Sequence, residues 1–330
     1  MDGIWFVVAA AVSLGMSWVV VSRLERIGEA AGLTEGLLGL VAALAADVPE
    51  ITSSFTALAH HEHAVGAGVV IGSNVFNLAA LIGLGAVVAG LIRLHRRVVV
   101  LGGAFALPIA VVCLLAVQGS LDTIAAFVIS AATLALYAVV LAERRGRLGR
   151  LLLSARLDRW VGRAVEEEEE ELLEAIHPRR GTLVDAVSAI AALAVVLGAS
   201  VVMERTASSF GAAHGWSPIV VGGLVLAAAT SLPNAVAGVY LASKGRGAAA
   251  LSTVLNSNSI NVTIGLLLPA MFLGLGAPSA NATLTTSWYV GLTVLVLIAA
   301  YLRGGIGRPT GFVIIGAYAV FVGIVLAAGR

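Results

Sequence analysis

The sequence predicts an all-α integral membrane protein of ten transmembrane helices arranged as two inverted five-helix repeats. Three observations lead there. Apolar windows of spanning length recur ten times, the basic residues gather on one set of alternate loops, and polar motifs of the first half return in the second at a fixed offset.

Of 330 residues, 59% are hydrophobic and 12% charged, with a mean hydropathy of +1.00; a soluble domain carries about 25% charged residues. A net charge of +1 says little by itself, and nucleic acid is not expected as a partner. The lipid bilayer is. The single cysteine, Cys113, rules out an intrachain disulfide or a cysteine metal cluster.

The windows lie at about 3–22, 32–60, 65–91, 97–117, 120–142, 182–203, 215–243, 246–273, 284–302 and 310–328. The first is expected to be retained, because Asp2 replaces the basic start of a signal peptide and Arg23, Glu25 and Arg26 follow instead of a cleavage site. The second, third, seventh and eighth windows are overlong, which suits tilted or interrupted helices. Alternating the loops puts every Lys and Arg except Arg205 and Arg330 on one side. The positive-inside rule then predicts a multi-pass plasma-membrane protein with both termini external and the 143–181 loop cytoplasmic. The expected division is a first five-helix repeat over 1–142, a charged linker over 143–181 and a second repeat over 182–330.

The linker has a basic first half and then the run Glu166–Glu171. It reads as a solvated connection with room for a helix, the alternative being a lipid-binding patch followed by a cation-sensing acidic tract. His60-His61-Glu62-His63 reads as a solvated external turn, with transition-metal capture as the alternative. Trp216, Trp288 and Tyr289 read as interfacial belt residues. Gly36–Gly39 and Gly222-Gly223 read as close helix packing, since no Gly-Lys-Ser/Thr follows either.

Within the second window Asp47-Val48-Pro49-Glu50 places two carboxylates beside a helix breaker. A charge at that depth costs roughly 2.5–3.5 kcal/mol on insertion scales, so it is kept where it faces a polar cavity, a partner or an ion path. Pro49 withholds one backbone donor and frees a carbonyl of the preceding turn.

The same pattern returns 184 residues later as Ser231-Leu232-Pro233-Asn234, and Gly72-Ser73-Asn74-Val75-Phe76-Asn77 returns as Asn256-Ser257-Asn258-Ser259-Ile260-Asn261. With five spans per half, the second copy enters the membrane from the opposite side. Paired interrupted segments of this kind mark midplane substrate sites in secondary transporters. Carboxylate, amide carbonyl, hydroxyl and freed backbone carbonyl are all hard oxygen ligands, suited to Ca²⁺ and Na⁺. For Ser53, Ser54, Asn74 and Asn258, helix-interface glue is an equal reading. No nucleophile–base constellation appears, so neither catalytic residues nor a cofactor is expected.

At these motifs the chain resembles the calcium/cation antiporter superfamily, the sodium/calcium exchangers and their relatives. Their paired alpha repeats typically read Gly-Thr/Ser-Ser-x-Pro-Glu in one helix and Gly-Ser-Asn-x-x-Asn/Asp in the next. Here the counterparts are Ala45-Ala46-Asp47-Val48-Pro49-Glu50 with Gly72–Asn77, then Ala229-Thr230-Ser231-Leu232-Pro233-Asn234 with Asn256–Asn261.

The resemblance implies a sodium/calcium exchanger-like fold and a cation antiporter working by alternating access. Glu50 and Asn234 would hold the two central acidic positions and Asn77 and Asn261 would partner them. Ser73, Ser257, Thr230, Ser231 and backbone near Ala46 would line the flanks. Ca²⁺ or another divalent ion and Na⁺ would be the transported partners, and a proton is a further candidate for Glu50 when no metal ion is beside it.

Two departures stand out. Asn234 is neutral where the family carries an acid, which makes the second alpha repeat non-standard. Asp47 replaces a small hydroxyl residue, so a carboxylate has moved rather than vanished on one reading. With both acids in one repeat, the alternative function is a transport-inactive relative serving as a membrane ion sensor or scaffold. An acid restored at 234 is expected to strengthen Ca²⁺ binding.

Overall fold

Apolar runs interrupted at proline and glycine dictate the element order. The computed structural model describes residues 2–31, 33–142, 159–167 and 181–328. The first repeat contributes α1 (Asp2–Ala30), α2 (Glu35–Ala46), α3 (Val48–Ala59), α4 (His63–Ala89), α5 (Arg96–Val117) and α6 (Thr123–Ala142). The second contributes α7 (Leu183–Ala213), α8 (Pro218–Thr230), α9 (Leu232–Ser243), α10 (Gly247–Leu273), α11 (Ala280–Arg303) and α12 (Arg308–Ala328). Eight of these are long and apolar enough to cross a membrane, while α2–α3 and α8–α9 are each one span bent by 49° and 51°. The described residues thus form ten spans near the expected positions.

The loops confirm the parity of that count. Arg23 and Arg26, near the end of α1, pair with Asp185 at the head of α7 at 2.7 and 3.2 Å. A strand between α4 and α5, β1 (Leu91–Arg93), pairs antiparallel with β2 (Gly305–Gly307) between α11 and α12. A Cβ on Gly247, opening α10, would strike the Arg93 carbonyl. Arg97 pairs with Glu167 of the linker. All five basic connections therefore meet at one end of the bundle. At the other end Ser209 donates to Asp2 at 3.0 Å and Ser208 donates to Glu62 at 3.0 Å.

The spans differ sharply in enclosure. In the most apolar stretch of α4, 89% of residues are buried, and 83% in that of α10, against 22% in α1. The two helices carrying the Ser-Asn motifs are therefore the central ones. Around them, outward apolar side chains such as Trp5, Trp18, Leu183, Ile190 and Phe272 remain exposed, as a lipid-facing surface requires.

Glycine sets the closest helix crossing. Gly68 and Gly72 of α4 meet Gly222 and Gly223 of α8 backbone to backbone, and a Cβ on Gly72 would run into the Gly223 carbonyl. Gly222-Gly223 is thus a packing element, as expected. Because backbone cannot swing away as a side chain can, Gly72→Ala is expected to destabilise the protein by about 1–3 kcal/mol. A lowered thermal midpoint in detergent would register it, with Gly291→Ala, which meets nothing within 4 Å, as the neutral comparison.

Two expectations need correction. Tyr289 is not an interfacial belt residue: it is 1% exposed, on the face of α11 turned into the core, with its hydroxyl against the Asn74 side chain. Trp288 packs partly against that same core, whereas Trp216 stays substantially exposed. The linker is not wholly solvated either. Residues 159–167 are helical, and Ala164 and Val165 bury themselves against Leu101, Tyr137, Val140 and Leu141 of α5 and α6. Glu168–Glu171 and the arginines Arg144–Arg156 lie outside the described residues.

Candidate functional site

The site is built on the two breaks. Asp47 ends α2 and begins α3 at φ −83°, ψ −2°, and Ser231 does the same between α8 and α9 at φ −83°, ψ 0°. Pro49 and Pro233 follow in the first turns of α3 and α9. Neither has an N–H to return to the carbonyl four residues back, so the turns at Ala45 and Ala229 lose a helical bond at the same pseudo-equivalent place. Glu50 and Asn234, one residue beyond each proline, point inward and are fully enclosed, as is Asp47.

A polar network joins these breaks to α4 and α10. Ser231 Oγ donates to Glu50 Oε1 at 2.9 Å. Asn234 Nδ2 donates to Asp47 Oδ1 at 2.7 Å, and Ser257 Oγ donates to that same oxygen at 2.6 Å. Having given its only proton to Asp47, Ser257 can only accept from Asn77 Nδ2 at 3.2 Å and Asn234 Nδ2 at 3.1 Å. Asn77 Nδ2 also reaches Asn258 Oδ1 at 3.1 Å. Both contacts engage the nitrogen end of the Asn77 amide. Its carbonyl end is therefore turned elsewhere.

Asn74 and Asn258 fasten the central helices together. Each donates Nδ2 to the other's backbone carbonyl, both at 3.1 Å, across 184 residues of sequence. For these two the interface-glue reading holds, and it holds for Ser54, whose hydroxyl donates to Gly66 O at 3.0 Å. Asn261 Nδ2 donates to Asn74 Oδ1 at 3.3 Å. The part of Asn74 and Asn258 in orienting Asn261 and Asn77 was not foreseen; their identity at the repeat offset was the available signal.

What remains is a set of buried acceptors. Among the described residues, Asp47 Oδ2, Glu50 Oε2, Asn77 Oδ1 and Asn261 Oδ1 accept no hydrogen bond, and the hydroxyl of Ser53 is also without a partner. An acceptor buried without a donor costs about 1–3 kcal/mol, more when charged. These four oxygens, on central and enclosed elements, are of the hard type that a Ca²⁺ or Na⁺ ion takes as ligands.

Ser73 and Thr230 sit at the flank. Ser73 Oγ lies 3.5 Å from Thr230 Oγ1 and 3.4 Å from Ala227 O, and Thr230 returns its own hydroxyl to Leu226 O at 2.9 Å. Of the nine predicted site residues, Asp47, Glu50, Asn77, Ser231, Asn234 and Ser257 are joined directly across the breaks. Asn261 is tied in through Asn74, and Ser73 with Thr230 forms a looser pair beside them.

A second missed feature is helical pitch. Residues Leu78–Leu84 of α4 and Asn261–Leu267 of α10 are π-helical, so both central helices widen at the Asn77 and Asn261 positions. No local residue preference announces such a turn. The histidine turn assembles nothing comparable. His60 Nδ1 lies 3.9 Å from Glu204, the His61 and His63 rings sit edge to face with centroids 6.1 Å apart, and no three His, Cys, Asp or Glu side chains among the described residues are gathered to hold a metal.

Comparison with known proteins agrees with this architecture. The family model described as sodium/calcium exchanger protein matches residues 2–144 and again 185–327. The chain is 30% identical over 129 residues to sodium/calcium exchanger MaX1 of Methanosarcina acetivorans, covering 39% of this chain and 37% of that protein. To sodium/potassium/calcium exchanger 2 of Gallus gallus it is 28% identical over 131 residues, covering 37% of this chain and only 20% of that protein. Its fold matches the sodium-calcium exchanger NCX_Mj soaked with 10 mM Na⁺ and zero Ca²⁺ at a TM-score of 0.65, with 19% identity and 98% of each chain covered. Native YfkE follows at 0.64, with 14% identity and 99% and 92% coverage. Two family matches, one on each five-span half and both carrying the broken-helix motifs, lead to one conclusion: the chain belongs to the sodium/calcium exchanger protein family.

Proposed function

We propose that this protein is a secondary-active cation antiporter of the sodium/calcium exchanger type, moving a divalent or monovalent cation against Na⁺ or H⁺ by alternating access. The observation that carries the reading is the presence of four buried acceptor oxygens on Asp47, Glu50, Asn77 and Asn261, none with a donor among the described residues. They sit on interrupted spans of inverted repeats, where transporters of this construction hold their substrates. Asp47, Glu50, Asn77 and Asn261 bind the ion directly. Ser231, Asn234 and Ser257 hold the carboxylates in place, and Ser73 and Thr230 line the adjoining flank.

The functional division is 1–142 and 182–330 as the two moving repeats, with 143–181 as a cytoplasmic linker. The basic residues converge on the linker end of the bundle, and with the positive-inside rule this supports reading both termini as external to a plasma membrane. The transport-inactive alternative rests on the charged 143–181 loop and on the acid missing at Asn234. With Asp47 holding a carboxylate against that residue, the second ground weakens.

Reconstitution tests the function. Proteoliposomes loaded with Na⁺ and diluted into Na⁺-free buffer are expected to take up Ca²⁺ and to release it when Na⁺ returns outside. A correctly folded protein that moves no cation with Na⁺, Ca²⁺ or proton gradients in any pairing would overturn the antiporter reading.

A further inference from the structure

The pseudo-symmetry of the site makes one position of its charge anomalous. Each break residue of one repeat touches the residue three positions beyond the break in the other repeat. Ser231 of the second repeat meets Glu50 of the first at 2.9 Å, and Asp47 of the first meets Asn234 of the second at 2.7 Å. The two contacts are related by the 184-residue offset at both ends, and the backbone at the two breaks is nearly identical. Each contact contains one carboxylate and one neutral partner. Only the end that carries the acid differs.

The neighbouring donors follow the acid and not the symmetry. Ser257 gives its hydroxyl proton to Asp47 at 2.6 Å, whereas its counterpart Ser73 turns to Ala227 O and Thr230. Asn77 and its counterpart Asn261 both reach the motif asparagine of the other repeat, Asn258 and Asn74, and only Asn77 also reaches the motif serine, Ser257. Both carboxylates end with one oxygen held by the opposite repeat and one oxygen without a donor. Asp47 is thus not an extra charge beside the site. It presents an oxygen to the interior on the same terms as Glu50.

Resting on the cation-site reading above, we propose that the second acid of the site has been transposed across the pseudo-twofold from the 234 position to Asp47, so that Asp47 sets the two-carboxylate charge by which the site accepts a divalent cation. Charge then belongs to the 47–234 contact as a whole. An amide and a carboxylate exchanged between its two ends leave the site's charge and volume unchanged.

The lopsided sequence by itself predicts that an acid added at 234 strengthens Ca²⁺ binding. The contact predicts the opposite, because that acid would replace the amide that donates to Asp47 at 2.7 Å and set two carboxylates face to face. The test is a cycle of isosteric variants, Asp47→Asn, Asn234→Asp and the two combined, read by Ca²⁺-dependent thermal stabilisation and Na⁺-driven Ca²⁺ uptake. Asp47→Asn removes one ligand charge, and Asn234→Asp puts a second carboxylate where an amide now donates to Asp47, so each single variant is expected to lose about tenfold or more in Ca²⁺ affinity and the combined variant to return to within about threefold of the parent.

A combined variant no better than the worse single variant overturns the transposition while leaving the cation site intact. A parent protein with no Ca²⁺ or Na⁺ response overturns the underlying reading instead. Should the combined variant not elute as a folded species, Asp47→Ser with Asn234→Glu tests the same exchange with the acid at the 234 end, and the same criteria apply.

Discussion

Glu50→Gln is expected to abolish cation-dependent stabilisation and flux, while Glu62→Gln leaves both within about twofold, a change of under 0.5 kcal/mol on the scale typical of surface substitutions. Glutamine keeps an oxygen for the Ser231 hydroxyl at 2.9 Å, so the fold loses little. What disappears is charge. An enclosed dication facing one carboxylate in place of two is left under-compensated, and breaking a buried ion pair costs roughly 3–5 kcal/mol. That is about a hundredfold or more in affinity.

The ion-free protein should be affected far less, its thermal midpoint changing little, because the glutamine keeps the oxygen that accepts from Ser231. In the parent, Ca²⁺ at a hundred times its dissociation constant adds about 2.7 kcal/mol by mass action, and in Glu50→Gln that increment is gone. Differential scanning with and without Ca²⁺ separates the two effects. Equal Ca²⁺ shifts in Glu50→Gln and Glu62→Gln would place the site elsewhere.

Ser257→Ala is expected to cost far more than Ser73→Ala, although the two serines are repeat counterparts. Ser257 gives a charge-assisted hydrogen bond to Asp47 at 2.6 Å and receives amide protons from Asn77 and Asn234. Its loss removes a bond to a charged group, a class worth about 1.5–3 kcal/mol, and leaves two buried amides short of an acceptor. Ser73 makes only contacts at 3.4 and 3.5 Å, at the outer limit of hydrogen bonding. Its removal should cost below about 1 kcal/mol. Thermal unfolding of the purified variants in detergent checks the ratio, and comparable losses would mean that the donors do not gather on Asp47.

These two predictions draw on different levels of information. That Glu50 matters was legible from a carboxylate next to Pro49 in a spanning window, since the cost of charge in hydrocarbon does not depend on where neighbouring helices lie. That Ser257 and Ser73 are unequal was not legible. They occupy equivalent motif positions, and only the approach of α10 to the first break, with a charge waiting at Asp47, distinguishes them. Tyr289 failed for a related reason. An aromatic near a span end suits the interface, but the face of α11 that carries it is the one that meets α4.

By itself the sequence determined the ten spans, the inverted repeat and the two proline breaks. Hydropathy, charge placement and a missing N–H are properties of the local chain, and they survive whatever packs around them. Only the tertiary structure decided which oxygens of the motif residues are used up on one another and which are left over. It also decided that Asn74 and Asn258 clasp the central helices, that the pitch widens after Asn77 and at Asn261, and that Asp47 faces Asn234. A hydrogen bond between residues 187 positions apart depends on two repeats being brought together in one orientation, and no window of sequence contains that distance.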